Sequence, residues 1–296
     1  PKTKEVTLDQ IEYAGKLKRI AHPQLTGGRN EDLCNPELHQ LYMSLLGAVA
    51  YLAHTRMDCV VFICALQRMT HKPQLQHIKK LNKLVTWIQH NPKKIQYKRF
   101  SESRETAAGP THLRVISDAA YKRETEDGYS LRGALFIRGP GIQPDDFTRN
   151  TNVHVLEWAC KTQRHVTRST FAAELLGLAD ATDQGLLLSH MLFEIERGPV
   201  SAKEARDRRM ENGYLPMAIS LDAKSVYAAI SATFIKQPAE KSLLCHVQYL
   251  RELIDKRIIA HMTWIDTRDM HADGLTKGSV SRELLHSVMD GDITLK

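Results

Sequence analysis

The 296-residue chain has no apolar run near the roughly 18 to 20 residues that a membrane-spanning helix requires; 60–66 is among its longest. No membrane partner is expected, and no secretory signal opens the sequence. Cysteine is scarce and unpaired: five residues, an odd number, with no Cys-x-x-Cys. This argues against a disulfide framework and a Cys-rich zinc site, and favours a reduced, intracellular setting. There is no Gly-x-Ser-x-Gly elbow, no cysteine in a nucleophile motif and no Walker phosphate loop. Serine hydrolase, cysteine hydrolase and P-loop chemistries therefore find no support. A chain that begins on Pro1 reads as a fragment or a processed piece.

Acidic residues are also missing from one stretch. Residues 59–101 hold none, yet carry Arg68, Lys72, Lys79, Lys80, Lys83, Lys93, Lys94, Lys98 and Arg99. Residues 1–112 contain 17 Lys and Arg against 9 Asp and Glu; residues 113–296 contain 24 against 25. The net charge of +7 thus belongs to the N-terminal third. A field of one sign attracts a polyanion, with binding that weakens as salt rises; a solvated helix face is the plainer alternative.

Hydrophobic residues make up 42% and charged residues 25% of the chain, so a packed core is feasible. The length allows about two domains. Residues 1–40 are polar, with a loop signal at Thr26-Gly27-Gly28. Apolar residues recur at helical spacing over 38–52 and 73–89, and 59–69 reads as a buried helix. Lys79, Lys80 and Lys83 lie largely off the apolar face, and the helical pattern ends near Asn91-Pro92. Residues 101–112 lack periodicity and read as a linker.

Beyond the linker the texture changes. Strands are predicted over 113–119, 129–137 and 153–159, with a turn at Asp127-Gly128 and a loop with two prolines over 139–146. A long helix over 171–196 follows, with Ser169 and Thr170 as N-cap candidates. Residues 197–216 read as polar and irregular. Then come a buried strand over 217–221, helices over 223–232 and 240–257, a strand over 258–265 and a mostly helical 271–290. The order βββαβαβα makes an α/β domain with a mixed sheet.

Four acids fall at element junctions, where α/β sites gather. Asp118 closes the first strand, Glu174 lies in the first turns of the long helix, Asp222 ends the fourth strand and Asp273 opens the last helical segment. Carboxylates brought together repel unless cations join them. Hard oxygen donors select Mg²⁺ or Mn²⁺, and two such ions support in-line phosphoryl displacement. Three of the acids also have a plainer reading: Asp222 as an N-cap, Asp273 as a helix-dipole partner and Glu174 as a solvated carboxylate, whereas Asp118 is the hardest to dismiss because it follows Leu113 to Ser117 in a strand that reads as buried.

The C-terminal part resembles the ribonuclease H domain of copia-type retrotransposon Pol polyproteins. The matching pieces are Ser117-Asp118-Ala119, Gly128-Tyr129-Ser130, Trp158 to Gln163, Arg168-Ser169-Thr170 with Ala173-Glu174, Ile219 to Ser225, and Ala272-Asp273-Gly274-Leu275-Thr276-Lys277-Gly278. The N-terminal part resembles the segment after the polymerase catalytic region of the same polyproteins. Its pieces are Tyr42-Met43-Ser44 to Gly47, Tyr51-Leu52-Ala53, Thr55-Arg56-Met57-Asp58, and His71-Lys72-Pro73 with His77. The resemblance implies a ribonuclease H-like mixed five-stranded sheet with flanking helices over 113–296, preceded by an α-helical, thumb-like connector over 1–100. It implies endonucleolytic cleavage of the RNA strand of RNA–DNA hybrids with two Mg²⁺ (or Mn²⁺) held by Asp118, Glu174, Asp222 and Asp273. The polymerase portion of the same polyprotein would be a partner. Lys161, Arg164, His165 and Arg168 are candidate phosphate contacts, or a solvated loop. His271 is a candidate proton relay, with a surface histidine as the alternative.

The polymerase Tyr-x-Asp-Asp motif is absent, so no DNA synthesis is expected from this chain. Residues 197–216, with Arg206, Arg208 and Arg209, and the loop at 139–152 lengthen connections that are short in the family. An integrase or transposase needs Asp, Asp and then Glu about 35 residues on; 36 positions beyond Asp222 stands Ile258. A catalytically inactive nucleic-acid-binding remnant is the other alternative.

Overall fold

The computed structural model describes residues 5–100, 111–121, 129–142, 144–148, 150–164, 166–235 and 237–294. The chain forms two compact units, one over Val6–Gln96 and the other from Tyr97 onward. No described helix is long and apolar enough to cross a membrane, and none of the five cysteines forms a disulfide.

In the first unit, β1 (Val6–Leu8), α1 (Ile11–Lys16) and α2 (Gln24–Gly27) precede α3 (Pro36–Tyr51), α4 (Val60–Gln67) and α5 (Leu75–His90), and β2 (Ile95–Tyr97) pairs back with β1. The three longer helices follow the predicted apolar periodicities. Helix α3 starts where the Asn35 side chain accepts from Leu38 N–H and Pro36 takes the first position. It buries Leu38, Tyr42, Leu46 and Val49 against Leu75, Ile78, Leu81 and Val85 of α5. The Tyr42 hydroxyl donates to the Leu66 carbonyl at 2.7 Å, so its burial leaves no orphan donor. Arg56 grips Asp58 through two hydrogen bonds of 3.0 Å inside this core, which explains why charged residues sit in an otherwise apolar stretch. The segment before α3 is not merely polar loop: Gln24–Gly27 forms one helical turn where a loop was expected.

The second unit is built on a mixed five-stranded sheet with flanking helices, as the resemblance implies. Strands β3 (Thr111–Ala120), β4 (Leu131–Pro140) and β6 (His154–Thr162) are antiparallel neighbours, with β5 (Thr151–Asn152) apart from them. Helices α6 (Thr170–Arg197) and α7 (Ala202–Met210) lead to β7 (Met217–Leu221), which lies parallel to β3. Then α8 (Lys224–Ser231) and α9 (Leu244–Asp255) lead to β8 (Ile259–Trp264), parallel to β7. The order across the sheet is β6-β4-β3-β7-β8. Two short helices, α10 (Asp273–Thr276) and α11 (Glu283–Met289), and β9 (Asp292–Ile293), paired with β5, complete the unit.

Central strand β3 is buried along its whole length, and its alternation sorts side chains to two faces. On one face Val115 meets α6 where a glycine is needed. A Cβ on Gly185 would lie 2.8 Å from Val115 Cγ2 and 2.9 Å from Met217 Sδ, so the helix packs this closely because position 185 carries no side chain. Asp118 lies on the opposite face and is paired in register with Gly133 of β4. A Cβ on Gly133 would lie 2.7 Å from Thr276 Cγ2 and 3.1 Å from Leu275 Cβ, so α10 rests directly on this glycine. That close approach brings the last acidic motif over the first strand.

Several sequence-based boundaries move. Thr111 and His112 belong to β3 rather than to a linker, and 101–110 lie outside the described residues, as does Asp127-Gly128. The expected loop over 139–152 is shorter: β4 runs through Pro140, a 3₁₀ turn occupies Pro144–Phe147, and β5 pairs with β9. The third strand extends to Thr162. Residues 197–216 contain α7, where irregular chain was expected. This helix buries none of its residues, so it lacks the apolar stripe that periodicity detects. It is held by the Ser201 cap on Glu204 N–H, a Glu204–Arg208 pair, and the Arg208 guanidinium over the Phe193 ring at 4.1 Å.

Candidate active site

Three acids predicted from the sequence converge. Carboxylate oxygens of Asp118, Asp222 and Asp273 lie within 4.8 Å of one another. Asp118 comes from β3, Asp222 follows β7, and Asp273 opens α10. Parallel pairing of β3 with β7 brings the first two together, and the seat on Gly133 brings the third.

Asp118 is 1% exposed. Burial pushes its pKa up and the charge of Asp273 adds to this, while Lys277 and Thr276 pull the other way. The Thr276 hydroxyl donates to Asp118 Oδ2. Asp222 does not cap α8: Ala223 holds that position, with no side-chain cap. Instead Asp222 Oδ2 accepts from Thr267 Oγ1 at 3.1 Å, and its carbonyl accepts from Trp264 Nε1 at 2.8 Å. Burial and the Asp118 charge raise its pKa as well.

Glu174 stands beside this trio, on the helix that packs against the other face of the sheet. It is buried, not solvated. Its Oε2 accepts the Ala119 backbone N–H at 3.1 Å, which draws the carboxyl to the strand next to Asp118. Burial, and then the charges of Asp118 and Asp222, raise its pKa to about 9. Mutual elevation of acid pKa values is the mark of like charges crowded in a poorly solvated space. Hard oxygen donors so arranged suit a hard divalent cation.

Lys277 carries no role in the sequence reading and proves central. Its ammonium lies 2.5 Å from Asp273 Oδ1 and 3.3 Å from Asp118 Oδ1. Burial opposes its charge, but Asp118 and Asp273 outweigh that and hold it above its ordinary range. The i,i+4 spacing from Asp273 is the one signal the sequence offered. Thr276, Thr267 and Trp264 were likewise missed as supports, because no local pattern ties them to distant aspartates.

His271 corrects both expectations made for it. It is fully buried, its Nδ1–H donates to the Asp269 carbonyl at 2.7 Å, and burial lowers its pKa to about 4. A ring that stays neutral at pH 7 is neither a surface histidine nor a relay working near neutrality.

Lys161, Arg164 and Arg168 are exposed. Lys161 is aligned through Arg132 with Ala119, two strands from the acids, or roughly 10 Å at ordinary strand spacing. His165 lies outside the described residues. Lys79, Lys80 and Lys83 form an exposed row on α5 in the first unit, Lys79 donating to Asn30 Oδ1 at 2.9 Å.

No family model matches the chain. Solved structures with a similar arrangement include the N-terminal RNase H domain of Rv2228c from Mycobacterium tuberculosis, fused to maltose binding protein (TM-score 0.35, 16% identity, 57% of this chain and 93% of that one). Another is LC11-RNase H1 in complex with an RNA/DNA hybrid (TM-score 0.34, 10% identity, 58% and 99%). Among curated proteins, the retrovirus-related Pol polyprotein from transposon RE1 of Arabidopsis thaliana is 23% identical over 154 residues, covering 52% of this chain and 9% of its own length. The corresponding polyprotein from transposon RE2 of the same plant is 21% identical over 236 residues, covering 80% of this chain and 14% of its own length. The chain is thus similar to parts of two retrovirus-related transposon Pol polyproteins, of which it spans 9% and 14% of the length.

Proposed function

We propose that the second unit is a metal-dependent endonuclease of the ribonuclease H type, which cuts the RNA strand of RNA–DNA hybrids within a copia-type Pol polyprotein. The observation that carries this reading is the convergence of Asp118, Asp222 and Asp273 oxygens within 4.8 Å, with Glu174 coupled to them electrostatically. Asp118, Asp222 and Asp273 would hold Mg²⁺ or Mn²⁺, with Glu174 completing the donor set. When bound, two such ions activate water and stabilise the leaving oxygen of an in-line displacement.

The chain's own residues do the rest. Thr276 and Thr267 fix the aspartates through hydrogen bonds, and Trp264 anchors the turn carrying Asp222. Glu174 and Asp222 orient the attacking water. Lys161, Arg164 and Arg168 take phosphates of the hybrid, and recognition rests on helix shape and the 2′-hydroxyl rather than base edges. Lys79, Lys80 and Lys83 supply further backbone contacts. The polymerase portion of the polyprotein is the expected partner, and DNA synthesis is not expected from this chain.

A substrate panel tests the reading. RNA–DNA hybrid, duplex RNA and duplex DNA, each end-labelled on either strand, are incubated with Mg²⁺ and with EDTA. Cleavage confined to the RNA strand of the hybrid and abolished by EDTA supports the proposal. Hybrid binding without cleavage in Mg²⁺ or Mn²⁺ points instead to an inactive binding remnant.

A further inference from the structure

Two features set Lys277 apart from an ordinary surface ion pair. Its ammonium bridges two carboxylates, of which Asp118 is 1% and Asp273 8% exposed, so it neutralises a crowded site rather than a solvated one. The oxygen of Asp118 that it holds is Oδ1, whereas Oδ2 already accepts from Thr276. Lys277 therefore sits on the Asp118 oxygen that does not accept from Thr276.

The backbone around Lys277 is pinned by its own hydrogen bonds, while the side chain is held at its ammonium. Its N–H donates to the Asp273 carbonyl at 2.8 Å. Arg282 donates to the carbonyls of both Lys277 and Gly274 at 2.5 Å. The four-carbon stem is flexible, and the side chain remains 34% exposed. The hydrogen bonds that pin this backbone do not involve the ammonium.

We propose that Lys277 is a built-in counter-ion, holding Asp118 and Asp273 in the metal-free protein and competing with a divalent cation for the same oxygens, so that metal loading displaces it. This rests on the metal-site reading above. It makes metal affinity a balance between an internal monovalent charge and an external divalent one. Lys277 thereby sets the cation concentration at which the site fills.

The test is Mn²⁺ binding to the full chain, followed by electron paramagnetic resonance of the free ion, in the wild type, Lys277→Met and Lys277→Arg. Releasing a charge-assisted contact should tighten Mn²⁺ binding by about tenfold in Lys277→Met, whereas Lys277→Arg keeps the competing charge and stays near the wild type. Equal or weaker binding by Lys277→Met, or equally tight binding by Lys277→Arg, overturns the proposal while leaving the metal site standing. Absence of saturable binding in all three proteins removes the metal reading itself, and this proposal with it. Acetic anhydride labelling of wild-type Lys277, read by mass spectrometry, covers the case in which Lys277→Met does not fold. Labelling should rise when Mg²⁺ is added, and unchanged or reduced labelling counts against displacement.

Discussion

The backbone N–H of Ala119 donates to Glu174 Oε2 at 3.1 Å, joining residues 55 positions apart in sequence. The bond holds a buried carboxyl next to Asp118, where ionisation is unfavourable, and its pKa rises from an ordinary 4.5 to about 9. Between those values the folded protein retains a proton that the unfolded chain has released. The metal-free protein should therefore lose stability as pH rises from about 4.5 to about 9. Glu174→Gln keeps an acceptor for Ala119 but carries no charge. Its melting temperature should fall less across this window and exceed that of the wild type at pH 8.5 by at least about 3 °C. Thermal melting with EDTA checks this, and parallel pH profiles for the two proteins would contradict it.

Thr267 orients Asp222 through a hydrogen bond to Oδ2. Thr267→Val removes the donor but preserves the shape of the side chain. Supporting partners of metal ligands are typically worth about 10- to 100-fold in affinity, and a loss of that order is expected here with little change in melting temperature. Mn²⁺ titration reads the first quantity and calorimetry the second.

Gly133 leaves the space into which α10 settles. Gly133→Ala forces Thr276 and Leu275 away from the strand, at a cost of about 1–3 kcal/mol by analogy with other overpacked cores. Because Thr276 donates to Asp118 and the same short helix opens on Asp273, metal affinity should fall together with stability. Denaturant melts and Mn²⁺ titration of the variant test the coupling; wild-type values in both would separate the glycine from the site.

The row formed by Lys79, Lys80 and Lys83 is proposed to bind backbone phosphates. Replacing all three with alanine should make the dependence of log K on log salt shallower by about 3, roughly one released counterion per lysine. Fluorescence anisotropy with a labelled hybrid over a salt series measures the slope. An unchanged slope would return these lysines to a solvated helix face.

The sequence exposed what repeats locally and hid what depends on distant contacts. Helices α3 and α5 were legible because Leu38, Leu45, Leu75, Ile78 and Leu81 recur at helical spacing and bury one face. Helix α7 was not, since it buries no residue and its stabilising contacts are polar. Asp118, Glu174, Asp222 and Asp273 were legible from their places at element junctions, but Glu174, Asp222 and Asp273 each kept a plainer reading, and resemblance to a family was needed to join all four as a metal-binding set. Lys277 lay inside a quoted motif, yet its contact with Asp118 spans 159 positions and depends on Gly133 admitting α10. His271 was misplaced because residue type does not report burial, and burial decides its charge.

The most direct measurement compares Mg²⁺-dependent cleavage of an RNA–DNA hybrid by the wild type and by Asp118→Asn, with hybrid affinity measured in parallel. The account predicts cleavage by the wild type and a loss of at least about a hundredfold in Asp118→Asn, a magnitude ordinary for losing a preorganised electrostatic group, at unchanged affinity. The variant should melt no lower than the wild type without metal, because one buried like charge is gone. Cleavage by Asp118→Asn at the wild-type rate would contradict the account.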